Sequence, residues 1–164
     1  MRRITSFLPS AAVVMAFSAP AAQADAFQHS VTKGGVTLEI EQAYSDAGVS
    51  QPSVRLNGAV LRAFSFKQTL TLAFSGTLAG AEEIAVLHHW DGGNGCAGNV
   101  TVFSLSEDGF YQSADLGNCT EGYDVSVTQE DGLDLLVIET YQTEAKAQKT
   151  GHWQYFDGTL VDRF

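Results

Sequence analysis

Apolar and polar positions alternate along most of the chain after residue 30. Val36, Leu38 and Ile40, for example, are separated by a threonine and a glutamate. A period of two places one set of side chains on a buried face and the other in solvent, which is the pattern of a half-buried β-strand. The same alternation predicts one long strand over residues 64–74, where apolar residues hold even positions. Shorter strands are predicted at 83–90, 99–105, 110–115, 123–129, 133–141 and 152–156.

Turn-forming residues separate these predicted strands. The dipeptides that lie between apolar runs are Asn57-Gly58, Asp108-Gly109, Asp131-Gly132 and Asp157-Gly158. Asn-Gly and Asp-Gly favour tight hairpins because both residues adopt positive φ readily. After the first 24 residues, helix-like composition is confined to 143–149, which is too short for a stable helix. The sequence therefore predicts an all-β fold, a small antiparallel β-meander domain built as a two-sheet sandwich or a partly open barrel.

Residues 1–24 have the three parts of a secretory signal peptide. A basic pair near the start precedes an apolar run over 11–19, and Ala22 and Ala24 form a small-x-small cleavage site. The apolar run is much shorter than the roughly 20 residues that span a bilayer. We expect cleavage after Ala24, which leaves 25–164 as a single exported β-domain that is periplasmic or secreted. No membrane insertion is expected after cleavage.

The charge of the chain excludes one class of partner. Its 164 residues include 9 Lys and Arg against 19 Asp and Glu, a formal net charge of -10 at pH 7. The predicted cleavage removes Arg2 and Arg3 and no acidic residue, so the exported domain is more acidic still. Nucleic-acid binding requires a basic surface that neutralises phosphates, so no nucleic acid is expected as a partner. The hydrophobic share of 45% is enough for a packed core.

Both cysteines, Cys96 and Cys119, lie in the predicted exported domain. An even number of cysteines in an oxidising compartment predicts one disulfide, which would stabilise the fold by roughly 3 kcal/mol. If residues 106–109 form a four-residue loop, Leu105 pairs with Phe110 and the two cysteines lie opposite each other. A two-residue Asp-Gly loop would shift the pairing by two residues and would need a bulge in the glycine-rich stretch before Cys96.

Two segments, 82–87 and 131–138, each present acidic residues followed by an apolar strand. Each leads through a loop into a strand that ends in an acidic turn. Here the sequence resembles the blade repeats of integrin-type (FG-GAP or VCBS-like) β-propeller proteins over residues 76–160. The calcium loop of those repeats is absent, Asp131 to Asp134 is one residue short of their motif, and the domain is too short to close a propeller. The resemblance implies two related β-meander halves.

A His-His-Trp-Asp stretch contains the candidate metal ligands. His88 and His89 point to opposite faces of a strand, so one ion cannot bind both unless the strand is broken between them. A transition-metal site would combine one of them with Asp91 or His152. Asp91 and Asn94 could also offer oxygens to Ca²⁺, which is the only cofactor that the sequence suggests. The alternative is that these residues belong to a tight connection without a metal.

Catalytic signatures are weak. The chain has no Gly-x-Ser-x-Gly motif for a nucleophilic serine. Paired acids such as Glu82-Glu83 and Glu130-Asp131 have the composition of solvated surfaces rather than of a catalytic carboxylate pair. No catalytic residue is predicted.

Aromatic residues are the candidates for binding. Half of the side chains on alternating strands face outward unless a second sheet covers them. Aromatics that are exposed among acidic residues would bind a protein, a basic peptide or a sugar, because aromatic side chains concentrate binding energy. The alternative is that they fill the core. The candidates are Trp90, Tyr111, Tyr123, Trp153 and Tyr155.

These features favour a non-enzymatic binding module in the periplasm or outside the cell. Its acidic surface would select a basic protein of the cell envelope, for instance a cell-wall hydrolase. One alternative is a structural or calcium-stabilised envelope protein. The other is a small periplasmic hydrolase.

Overall fold

The computed structural model describes residues 27–42, 44–45, 48–49, 51–65, 68–78, 82–90, 98–117, 120–142 and 148–163. Every regular element in these ranges is a β-strand, which confirms the all-β prediction. The strands are β1 (Phe27–Lys33), β2 (Val36–Gln42), β3 (Tyr44–Ser45), β4 (Gly48–Val49), β5 (Ser53–Leu56), β6 (Ala59–Ala63), β7 (Thr69–Leu78), β8 (Glu82–Trp90), β9 (Gly98–Ser106), β10 (Gly109–Gln112), β11 (Gly122–Glu130), β12 (Leu133–Tyr141), β13 (Lys149–Phe156) and β14 (Thr159–Asp162).

The described strands form three four-stranded antiparallel sheets and one two-stranded sheet. The first sheet has the order β1-β2-β5-β6, the middle sheet β7-β8-β9-β10 and the last sheet β11-β12-β13-β14. The short pair β3-β4 lies in the connection between β2 and β5. Each four-stranded sheet is a meander whose strands pair in chain order. The expectation of two sheets, or of a partly open barrel, is therefore corrected to three four-stranded sheets.

The first sheet was not predicted as a unit, because apolar and polar residues do not alternate clearly in its later strands. β5 and β6 have four and five residues, and β6 exposes most of its side chains on both faces, including Val60 and Leu61. A strand that leaves apolar residues in solvent has no period-two signal. The segments 82–87 and 131–138 begin in the middle and last sheets respectively, and the first sheet is a third four-stranded meander.

Tight turns join the strands as the dipeptides predicted. Asn57, Asp131 and Asp157 have φ values of 51°, 53° and 44°, and each is followed by a glycine with positive φ. Two consecutive residues with positive φ form the reversal whose twist matches that of the paired strands. In the β9–β10 hairpin, Leu105 pairs with Phe110, the register predicted for a four-residue loop. The loop itself is shorter than predicted, because Ser106 pairs with Gly109 and the turn consists of Glu107 and Asp108. β10 then ends at Gln112, three residues before the predicted end of that strand.

The middle sheet is buried on both faces. The face toward the first sheet packs Ala85, Leu87, Phe103 and Leu105 against Leu38, Ile40 and Val54. The opposite face packs Ile84, Val86, Val100 and Val102 against Leu136, Ile138 and Tyr155 of the last sheet. The three sheets therefore stack in chain order, with one apolar layer at each of the two seams between them.

The predicted long strand over 64–74 begins later than predicted, and its apolar residues do not all lie on one face. Ser65 and Gln68 form a turn, in which the Gln68 amide donates to the Ser65 carbonyl at 3.0 Å, and β7 begins after it. A bulge between Leu72 and Phe74 then shifts the register. Leu72 consequently packs in the first seam and Phe74 in the second. The residues alternate in sequence, but one added residue turns the second part of the strand over.

Truncation of one buried leucine tests this stack. Leu87→Ala removes a fully buried side chain from the seam between the first and middle sheets, so we expect the free energy of unfolding to fall by about 2–5 kcal/mol. Leu61→Ala, the same change at an exposed position of β6, should cost less than about 1 kcal/mol. Urea unfolding followed by tryptophan fluorescence measures both values. Equal losses would contradict the burial of the middle sheet.

Candidate functional site

An open pocket of about 330 Å³ lies where the middle and last sheets meet, beside two of the hairpin turns. Its size is within the range of small-ligand sites in proteins. β8, β9 and β10 of the middle sheet and the β13–β14 turn of the last sheet contribute its walls. The lining residues are Glu82, Ser104, Ser106, Asp108, Gly109, Phe110, Tyr111, Asp157 and Gly158.

A buried carboxylate with two hydroxyl donors lies at this pocket. Glu82 is only 7% exposed. The Ser104 hydroxyl donates to Glu82 Oε1 at 2.7 Å, and the Tyr155 hydroxyl donates to the same oxygen. The backbone amide of Gly158 in turn donates to the Tyr155 hydroxyl at 3.1 Å. Burial and the hydrogen bond to Glu82 raise the pKa of Tyr155, so its hydroxyl stays protonated and remains a donor.

The strand pattern explains why these groups converge. Glu82 is the first residue of β8 and lies two positions before Ile84. Side chains two positions apart on a strand share a face, so Glu82 points toward the last sheet, as Ile84 does. On the same face, Ile84 pairs with Ser104 and Ser104 pairs with Tyr111, so these three residues form one cross-strand row beside Glu82. The Tyr111 ring lies 5.4 Å from the Tyr155 ring, and burial raises the pKa of Tyr111.

The pocket is acidic and has no cation of its own among the described residues. Glu82, Asp108 and Asp157 are in its lining, and none of the described lining residues is Lys, Arg or His. Both hydroxyls that reach Glu82 bond to Oε1, and no described residue donates to its other oxygen. Carboxylates beside the tyrosine ring of Tyr111 create a negative potential with an aromatic wall. Such an arrangement accepts hydrogen bonds from an ammonium or guanidinium group.

The structure divides the five aromatic candidates. Tyr111 lines the pocket. Tyr155 does not line it, but its hydroxyl donates to the lining residue Glu82. Tyr123 contacts the His88 ring at 4.6 Å between centroids, and Trp153 packs against the apolar layer of the same seam. Trp90 is 42% exposed at the opposite end of β8 from Glu82. Tyr155 is fully buried and Tyr123 and Trp153 are half-buried, so core packing accounts for most of the set.

His89 and His152, two of the candidate metal ligands, are not brought together. His89 lies on the face of the middle sheet toward the first sheet, with Nε2 3.3 Å from the Thr101 hydroxyl. His152 lies in the last sheet, with Nδ1 3.0 Å from Glu139 Oε1. Within the described ranges, no group of three His, Cys, Asp or Glu side chains is placed to hold a metal ion.

Four other predicted positions lie outside the described residues: Asp91, Asn94, Cys96 and Cys119. The calcium and disulfide predictions therefore stay predictions. The described residues nearest to the cysteines are close to each other, because the Thr120 amide donates to the Gly98 carbonyl at 2.9 Å.

A second polar cluster joins the first sheet to the middle sheet. Arg62 donates to both carboxylate oxygens of Asp115, at 2.5 and 2.8 Å, and the Thr101 hydroxyl donates to the same carboxylate at 2.8 Å. The Arg62 guanidinium also lies 4.7 Å from the centre of the Phe64 ring. Hydrogen bonds from Arg62 lower the pKa of Asp115 to about 2. His89 completes the cluster, and its pKa is lowered by burial and by the Arg62 charge.

Glu82 is the site residue that sequence reasoning missed. Its position in an acidic pair suggested a solvated surface, but the structure buries it. The sequence did hold one sign of this burial. Glu82 lies at every second position with Ile84 and Val86, and such residues share one face of a strand. Composition alone could not separate Glu82 from its more exposed neighbour Glu83.

Comparison of the chain with protein family models, curated proteins and solved structures found no match. The resemblance to integrin-type repeats stays a prediction. In the part of the chain that the structure describes, no helix is long and apolar enough to cross a membrane.

From the lowered pKa of His89 we predict that the protein loses stability in mild acid. The pKa of His89 is lowered from 6.5 in the folded state, so the unfolded chain binds more protons once the pH falls below that value. The free energy of unfolding should therefore be fully retained above about pH 7 and should decrease toward about pH 5. Lowered pKa values of His29 and His88 act in the same direction.

Chemical denaturation of the wild type and of His89→Gln, at about pH 7.5 and about pH 5, measures this effect. We expect a smaller difference between the two pH values in the variant than in the wild type. The other two histidines should leave part of the difference in place. An equal pH dependence in both proteins would show that His89 is not the titrating group.

Proposed function

We propose that the protein is an exported, non-enzymatic binding module of the periplasm or the extracellular space. Its pocket at Glu82 receives a lysine or arginine side chain of a basic macromolecular partner, such as a cell-wall hydrolase. The observation that carries the proposal is the pocket itself, in which three carboxylates meet an aromatic wall without a cation among the described lining residues.

The shape and chemistry of the pocket favour a side chain over a bare ion. A long cationic side chain has an apolar stem that can pack on an aromatic ring, which Tyr111 supplies. Its charged end can then reach the Glu82 oxygen that no described residue bonds. Asp108 and Asp157 lie at the same pocket and add to the attraction.

The charge of the whole chain acts at longer range. A net charge of -10 accelerates the encounter with a cationic protein, and this steering weakens as salt screens it. Steering alone does not select one partner among many basic proteins. The pocket adds selectivity, because only a partner with an accessible lysine or arginine can fill it.

Binding of a basic lysozyme, and of a short arginine-containing peptide, tests the proposal by calorimetry. We expect binding that weakens as the salt concentration rises. Asp157→Asn should weaken it about tenfold, since a charge-assisted hydrogen bond is worth about 1.5–3 kcal/mol. Glu82→Gln should weaken it at least as much, and the glutamine carbonyl can still accept from Ser104 and Tyr155.

Asp131→Asn is the matched control. Asp131 and Asp157 both start Asp-Gly turns of the last sheet with positive φ, and asparagine tolerates that conformation. Both variants lose one negative charge, but only Asp157 lines the pocket. Equal weakening by the two variants would show that general acidity, rather than the pocket, binds the cation. Binding that does not respond to salt would also contradict the proposal.

A further inference from the structure

A serine and a histidine from different sheets are hydrogen-bonded at one side of the seam between the first and middle sheets. The Ser75 hydroxyl lies 2.9 Å from Nε2 of His29. His29 belongs to β1 and Ser75 to β7, which are edge strands of the first and middle sheets respectively. The distance is within the range that joins a nucleophilic serine to its general base in enzymes.

The bulge in β7 places Ser75 on this face. Leu72 packs in the seam with the first sheet and Phe74 in the seam with the last sheet, because the bulge adds one residue between them. Ser75 therefore faces the first sheet, as its cross-strand partner Ala85 does. Without the added residue, strict alternation would turn Ser75 away from His29. Bulges re-aim side chains in this way beside active sites.

The surroundings of His29 suit a general base. It lies two residues before Val31, which packs in the same seam, and it pairs with the buried Ile40. The His29 side chain is half-buried, and burial lowers its pKa below 6.5. Its ring is therefore neutral at neutral pH, and one of the two ring nitrogens can accept a proton. Ser75 is exposed, so a reagent in solvent can reach its hydroxyl.

The backbone beside Ser75 offers an amide to a ligand. Among the described strands β7 pairs only with β8, through Ser75 with Ala85 and Gly76 with Ile84. Consecutive residues of an antiparallel strand direct their N–H groups alternately toward and away from the partner strand. One of two amides, that of Ser75 or that of Gly76, therefore points outward from the edge of the sheet. A backbone amide next to a nucleophile can stabilise the negative oxygen that forms during acyl transfer.

We propose that Ser75 is a nucleophile, with His29 as its general base, and that it accepts an acyl group from an ester. The Ser75 oxygen attacks the carbonyl carbon of the ester while the hydroxyl proton moves to Nε2 of His29. The C–O bond of the ester then breaks, the alcohol leaves with that proton, and the acyl group stays on Ser75.

The sequence gave no sign of this pair, because His29 lies 46 residues before Ser75 and reaches it only through the stacking of two sheets. Glu82 faces the other seam, so acyl transfer to Ser75 does not depend on the cation binding proposed for the pocket.

Incubation of the protein with para-nitrophenyl acetate at neutral pH tests the proposal. Release of para-nitrophenolate gives the rate, and mass spectrometry of proteolytic fragments identifies the acetylated residue. We expect the acetyl group on Ser75. His29→Gln should slow this acetylation at least about tenfold, since a positioned base contributes about 100- to 10,000-fold and glutamine takes up no proton. Circular dichroism verifies that the variant folds.

Ser126 is the matched control within the same chain. It is exposed on β11, an edge strand of the last sheet, and no described histidine bonds to its hydroxyl. We expect Ser126 to be acetylated at least about tenfold more slowly than Ser75. Equal acetylation of the two serines, or an unchanged rate in His29→Gln, overturns the proposal. So does release that persists in full in Ser75→Ala, because another group, such as the His29 ring, would then be the nucleophile.

Discussion

The burial of both faces of the middle sheet is the constraint on which the rest of the structure depends. β8 shows it most clearly, because Ile84 and Val86 pack toward the last sheet while Ala85 and Leu87 pack toward the first. A strand covered on both sides loses its polar alternation and becomes continuously apolar. Polar residues then remain only near the ends of the strand, where the seams between the sheets reach the surface.

The polar residues at the two ends of β8 have different kinds of partners. At one end His89 joins a cluster in which Arg62 forms an ion pair with Asp115, so the charges beside this buried histidine are paired. At the other end Glu82 accepts hydrogen bonds from the hydroxyls of Ser104 and Tyr155, which stabilise the carboxylate without cancelling its charge. The first arrangement is structural. The second leaves a negative group beside an open pocket, and that difference is the physical basis for the binding role that we propose for Glu82.

The sequence predicted what depends on local pattern. β8 to β13 lie where apolar runs between turn residues predicted strands, and Leu105 pairs with Phe110 as predicted. β14 was not predicted. Three further features depend on contacts between distant segments. In the first sheet, β5 and β6 are short and do not alternate between apolar and polar residues. The bulge before Phe74 lets the two parts of β7 pack in different seams, and the burial of Glu82 requires the last sheet to lie over it. A local pattern does not encode which face a neighbouring sheet will cover.

Titration of the protein with an arginine-containing peptide, followed by nuclear magnetic resonance of its backbone amides, tests the central claim most directly. The account predicts saturable shifts of the amide signals around the pocket, at Gly109, Tyr111 and Gly158, with much smaller changes at the equivalent acidic turn that contains Gly132. Shifts of similar size at all the acidic turns would contradict it, because they would show that the peptide samples the negative surface without entering the Glu82 pocket.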